Sequence, residues 1–176
     1  MKQQIIVSGI GGQGVLFLTR VLAEAALEQG LAVLSSETHG MAMRGGTVIS
    51  QIKIGAFMSP LIRSGCGDVG LFLHHGNLPV HRHFIRPDGY LLVNTQTPGD
   101  YDHLDASGMA SHLGSPVVMN LVLLGYAVGT GRVFCEAESV ENVIKNISPD
   151  RHVGLNMKAF RSVLKRLESI RGTRET

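Results

Sequence analysis

The stretch that most constrains the fold is QQIIVSGIGGQGVLFLTRVLAEAALEQG, residues 3 to 30. Ile5, Ile6 and Val7 are consecutive apolar residues, so both faces of this strand are to be covered, as in a buried parallel sheet. Gly9, Gly11, Gly12 and Gly14 follow. Val15, Leu16, Leu18, Val21, Leu22, Ala25 and Ala26 then recur at helical spacing, and Gly30 stands where a C-capping glycine belongs. Residues 31–35, LAVLS, make a second strand and complete a βαβ unit. A glycine loop between strand and helix brings backbone N–H groups and the positive end of the helix dipole to one place, where an anion is favoured. The competing reading is a tight turn that needs small residues for packing. The flanking strand and helix favour a phosphate-containing ligand.

The remainder continues the α/β pattern. TVISQIKIG (47–55) alternates as a strand, with Val48, Ser50, Ile52 and Ile54 on one face. DVGLFL (68–73) and YLLVN (90–94) read as buried strands, with a turn at PDG (87–89) and a short helical or irregular connection over 78–87. Residues 95–105 are polar and turn-rich, and MASHLG is a short helix. Residues 115–131 open with Ser115 as candidate N-cap and Pro116 at the first helical position. That segment is apolar nearly all round, which suits a helix in the core or against a partner. EAESVENVIKNI (136–147) and LNMKAFRSVLKRLESIR (155–171) are amphipathic helices. The basic end of the second, with Lys165, Arg166, Arg171 and Arg174, suits the helix dipole and a solvated face. No repeat or linker interrupts the chain. The expectation is an α/β protein: a single Rossmann-like domain over residues 1–176, with a mostly parallel sheet flanked by helices.

Composition narrows the partners. A hydrophobic fraction of 44% against 17% charged residues leaves less polar surface than a free-standing monomer usually shows, which points to covering subunits. A net charge of +2, the absence of Trp and 5% aromatics speak against nucleic acid. The opening MKQQIIVSG has no signal-peptide core, and no apolar run approaches the roughly 20 residues of a membrane span, so a cytoplasmic protein without a membrane partner is expected. Cys66 and Cys135 form no Cys-x-x-Cys and read as small hydrophobes, so this chain alone cannot hold an iron–sulfur cluster or a zinc ribbon. His74, His75, His81 and His83 form the densest histidine group. Adjacent histidines point different ways and no second ligand cluster follows, so no metal site is expected.

Gly9, Gly11 and Gly14 also satisfy G-x-G-x-x-G, and Glu37 stands near the place of a ribose-binding acid. The following THGMAMRGG is unlike a ribose-binding loop. An NAD- or FAD-binding oxidoreductase therefore stays as an alternative, beside a non-catalytic nucleotide-binding interaction module. No Ser–His–Asp, Cys–His or Tyr-x-x-x-Lys set is evident, so no catalytic residue is assigned.

Taken together, GIGGQGVLFLTRVLAEAA, ETHGMAMRGGTVISQIKIG and NLVLLGYAVG resemble the gamma subunit of the 2-oxoacid:ferredoxin oxidoreductases. The form HGM-x-x-RGG is most similar to the indolepyruvate and related 2-oxoacid branch, and the likeness runs over most of the chain. It implies a subunit, with little or no activity alone, of an enzyme that oxidatively decarboxylates a 2-oxo acid to an acyl-CoA. Thiamine diphosphate and iron–sulfur clusters would be carried by partner subunits, which pass electrons to ferredoxin. In multidomain relatives the gamma portion helps to hold coenzyme A. The residues agree by omission: there are no cluster cysteines and no G-D-G followed by N-N. Under this resemblance Gly11, Gly12, Gln13 and Gly14 form a pyrophosphate cradle. Arg44 offers a fork of donors to a phosphate or a partner carboxylate, with both left open, and Gly45 and Gly46 permit a backbone nest beside it. Both loops follow the carboxyl ends of strands and are expected to meet on one edge of the sheet. Asn120 reads as a satisfied buried amide and His39 as a structural hydrogen-bonder.

Overall fold

Ile5 and Val7 point to one side of the first strand and Ile6 to the other, and two separate apolar clusters grow from this alternation. The structure is a computed structural model and describes residues 1–39 and 45–172. The chain runs β1 (Gln3–Ile10), α1 (Val15–Glu28), β2 (Val33–His39), β3 (Thr47–Ile54), β4 (Gly67–Phe72), α2 (Leu78–His81), β5 (Ile85–Asn94), β6 (Asp102–Leu104), α3 (Ala106–His112), α4 (Met119–Gly129), α5 (Ala137–Ile147) and α6 (Asp150–Gly172).

Among the described residues the strands form one six-stranded sheet in the order β2-β3-β1-β4-β5-β6. The pairs β1–β4, β4–β5 and β5–β6 are parallel, and β3 runs antiparallel to both of its neighbours. The expected βαβ unit is present, but β3 lies between its two strands. Helix α1 ends as predicted: Gly30 takes φ 69°, its N–H bonds to Leu27 O, and the Leu31 N–H bonds back to Ala26 O.

The long helices share one face of the sheet. Ile5, Val7, Ile52, Leu71 and Leu92 pack there against α1, α4, α5 and α6. On the other face Ile6, Ile49, Phe72, Leu91 and Val93 pack with Ile62 from a loop, Leu78 from the short α2 and Ile85 from the start of β5, rather than with long helices. The segment 115–131 is a core helix: from Met119 to Val128 all but Tyr126 are buried. Its first turn is a 3-10 turn over Pro116–Val118, and the Ser115 side chain makes no cap.

Three elements differ from expectation. Strand β6 lies in the polar stretch 95–105. It is short and polar because it is the sheet edge, held only by β5. The PDG turn is an excursion inside β5, where the register to β4 jumps between Ile85 and Tyr90. Helix α6 starts at Asp150 rather than near Leu155. Asp150 complements the dipole in its first turn, while Gly154 hides the helical pattern in the sequence.

Candidate functional site

Gly14 closes the glycine loop as the residue before α1, in the left-handed region at φ 76°. A Cβ there would run into the Asn120 side-chain amide. Asn120 reaches over from α4, donates from Nδ2 to Gly14 O at 3.2 Å and accepts the Leu121 N–H at 2.8 Å. The predicted satisfied amide is therefore found, and its role is to brace the loop from the core side.

The turn itself is held from within. Gln13 N–H donates to Ile10 O at 3.1 Å, and the Gln13 Oε1 accepts the Ile10 N–H at 2.9 Å. Gln13 is thus a clamp on its own loop. The Gly11 N–H donates to Gly46 O at 3.0 Å, so the two glycine loops do meet at one edge of the sheet. Gly45 sits beside this contact at φ 74°. Arg44 lies outside the described residues. The contact uses up the Gly11 donor. Among the described residues, the Gly12 and Gly14 amides bond to no protein acceptor. The first-turn N–H groups of α1 have no intrahelical partner by construction. An open cavity of about 320 Å³ adjoins the loop, lined by Ile10, Gly11, Gly12, Gly14, Val15, Leu16 and Val48. Gly12 is exposed at φ 92°, and a Cβ on it would meet nothing within 4 Å. A narrower hollow of about 260 Å³ adjoins Gly14 on the far side, between Phe17, Val118, Leu121 and Leu155.

Beneath the loop is a polar network that sequence reasoning missed. Ser8 is fully buried. Its hydroxyl lies 2.8 Å from His81 Nδ1 and accepts Asn77 Nδ2 at 3.1 Å, while the same amide donates to Gly9 O at 2.7 Å. The available signal was Ser8 itself, a polar residue inside a strand covered on both faces. Burial, and then the neighbouring His83, hold the His81 imidazole below the usual histidine range. The four histidines do not converge: His75 Nε2 faces the Tyr101 hydroxyl at 3.3 Å, and His83 Nδ1 faces Val80 O at 2.9 Å. Among the described residues no three His, Cys, Asp or Glu side chains are grouped to hold a metal.

Glu37 answers the NAD question. In a dinucleotide fold the acidic residue stands on the strand next to the glycine loop. Here β3 intervenes, Glu37 pairs with Ser50, and β2 lies two strand spacings, about 10 Å, from β1. Cys66 is exposed and Cys135 buried, with its thiol pushed up to about 12 by desolvation, so the pair offers no thiolate cluster.

The structure is an α/β domain whose long helices share one face of the sheet and whose two glycine loops meet at the N-terminus of α1. The chain belongs to the pyruvate ferredoxin/flavodoxin oxidoreductase family, whose model matches residues 4–165. It is a gamma-type subunit of the 2-oxoacid:ferredoxin oxidoreductases, and its enzymatic role is that of a part of such a complex. Indolepyruvate oxidoreductase subunit IorB of Archaeoglobus fulgidus is 32% identical, covering 92% of this chain and 93% of the relative. The crystal structure of the keto/oxoacid ferredoxin oxidoreductase gamma subunit from Geobacter sulfurreducens matches with a TM-score of 0.75 at 27% identity, over 95% and 99% of the two chains. The 2-oxoglutarate:ferredoxin oxidoreductase of Magnetococcus marinus, solved with 2-oxoglutarate, coenzyme A and succinyl-CoA, shares the fold at a TM-score of 0.76 and 19% identity. This chain spans 31% of that one. No helix among the described residues is long and apolar enough to cross a membrane.

Proposed function

We propose that this gamma subunit binds the phosphates of coenzyme A at the glycine loop and does so within a complex whose other subunits carry thiamine diphosphate and iron–sulfur clusters. The observation that carries the reading is the Gly11–Gly46 hydrogen bond, which knits the two glycine loops around the N-terminus of α1. The residues fit a diphosphate: the Gly12 and Gly14 amides have no protein acceptor, both glycines line the cavity, and Gly12 has no side chain to fill it. The hollow beside Gly14 supplies apolar surface for the remainder of the ligand. Gly11, Gln13 and Gly46 shape the cradle through their own hydrogen bonds, and Gly45 turns the second loop towards it. Arg44 belongs to that second loop and is assigned to a phosphate or to a partner carboxylate. Coenzyme A supplies the thiol that accepts the acyl group. This chain's part is to hold and orient it, since it has no thiolate cluster of its own. The identity of the Magnetococcus marinus ligands supports the same ligand class.

The test is a coenzyme A titration of the reconstituted complex carrying Gly12→Ala or Arg44→Ala, with NADH as control ligand. A raised apparent constant for coenzyme A, with decarboxylation of the 2-oxo acid intact, is the expected result. An Arg44 contact made in the complex is worth about 1.5–3 kcal/mol. Unchanged coenzyme A dependence in both variants removes the assignment and leaves the loop as a packing turn.

A further inference from the structure

Lys53 on β3 is only 8% exposed, yet among the described residues no carboxylate pairs with it. Its ammonium stands 5.1 Å from the centroid of the Phe57 ring, and the Lys2 ammonium stands 5.0 Å from the same centroid. One ring shared by two cations is a weak partner for either charge, and the covered Lys53 stem leaves its ammonium to the groove. The acidic residue of this region, Asp68, is already engaged by Arg86 at 2.8 Å and by the Gln4 N–H at 2.7 Å. Lys53 opens onto a groove of about 480 Å³ that Met58, Leu61, Arg63 and Cys66 also line. Met58 is 101% exposed and Leu61 56%. These side chains are presented by an anchored loop, because Ile62 is buried and its N–H donates to Gln51 Oε1 at 2.5 Å.

The geometry points to a docking site for another protein subunit of the complex, one that inserts a Glu or Asp carboxylate onto Lys53 and lays apolar side chains on Met58 and Leu61. This rests on the reading that the chain works within a complex. A recessed cation beside exposed apolar knobs is matched by an acidic side chain on a stem, which a flat anionic surface lacks. A second copy of this chain would bring the same basic groove, with Lys2, Lys53 and Arg63, to a two-fold contact and be repelled. The groove adjoins Gln4, which pairs with Lys53 at the start of β1, whereas the glycine loop follows Ile10 at its end, about 20 Å away at the rise of a strand. Docking and ligand binding are therefore separable.

Cys66 in the groove provides the readout, and buried Cys135 the internal control. The full chain is mixed with its purified partner subunits, and alkylation of Cys66 and complex formation are followed together. Partner subunits are expected to protect Cys66, and added salt to weaken assembly. Met58→Glu, at a fully exposed position that leaves folding untouched, should weaken association about tenfold or more. Lys53→Met, a neutral side chain of similar length, should weaken it and flatten its salt dependence. The coenzyme A dependence per assembled complex should stay as in the wild type, so loss of this site and loss of the glycine-loop reading are told apart. Alkylation of Cys66 at the free rate in the assembled complex overturns the proposal. So does wild-type association by both variants. Binding to phosphatidylglycerol vesicles that Met58→Glu abolishes, with assembly unchanged, would assign the groove to a membrane instead. A dimer of the isolated chain that Met58→Glu dissolves would assign it to a second copy.

Discussion

The Ser8 hydroxyl lies 2.8 Å from Nδ1 of His81, and both side chains are buried beneath the glycine loop. The Ser8 oxygen also accepts from Asn77 and keeps a second lone pair and its own proton, so either neutral tautomer of His81 can bond it. The folded-state value lies below the ordinary 6.5, chiefly through burial. The unfolded chain therefore binds the proton first as pH falls. Stability is full above the ordinary value, begins to fall near pH 6.5, and the loss is complete once pH is below the folded-state value. Urea midpoints measured between pH 8 and pH 5 should decline more steeply for the wild type than for His81→Gln. Parallel curves would remove His81 as the titrating group.

Gly12 and Gly14 both take positive φ, but for different reasons. Gly12→Ala adds a Cβ in open space and carries only backbone strain of about 1–2 kcal/mol. Gly14→Ala adds the same strain and also displaces the buried Asn120 amide from Gly14 O, so it should cost about 2–4 kcal/mol in all. Denaturation midpoints of the two variants read this difference directly. Equal losses would mean that Asn120 does not brace the loop.

Gly125 on α4 faces the backbone carbonyl of Phe160 on α6, while Gly129 faces the ends of the Leu164 and Leu167 side chains. Side-chain ends can rotate away and a carbonyl within a helix cannot. Gly125→Ala should therefore destabilise by about 1–3 kcal/mol despite the better helix propensity of Ala. Gly129→Ala should cost less. Amide hydrogen exchange across α4 and α6 should quicken in the first variant and stay slow in the second.

The strand–loop–helix start, an apolar helix within 115–131 and the meeting of the two glycine loops were all legible in the sequence, although the helix proper is Met119–Gly129. Each follows from local periodicity or from glycines at a strand end. The hydrogen bonds within the loop were not legible. Nothing in GIGGQG says that Gln13 folds back onto Ile10 or that Gly11 spends its donor on Gly46, because those bonds depend on tertiary placement. Ser8, Asn77 and His81 join across separate elements, and a single chain gives no register between them. The insertion of β3 was hidden for the same reason: alternation marks TVISQIKI as a strand and is silent on its neighbours.

That insertion has a consequence for the order of events as the chain emerges from the ribosome. Strands β1 and β2 are made first, but they are not sheet neighbours, so β1 must keep a strand-wide gap open until residues 47–54 are available. Strands β2 and β3 pair antiparallel through a short connection and can form as a hairpin by themselves. Gly45 and Gly46 stand just before β3, on its approach from β2. The bond from Gly11 to Gly46 can close only once the hairpin is home. The contact between the two glycine loops is thus closed by the placing of β3, and a chain in which β3 does not yet lie beside β1 lacks it.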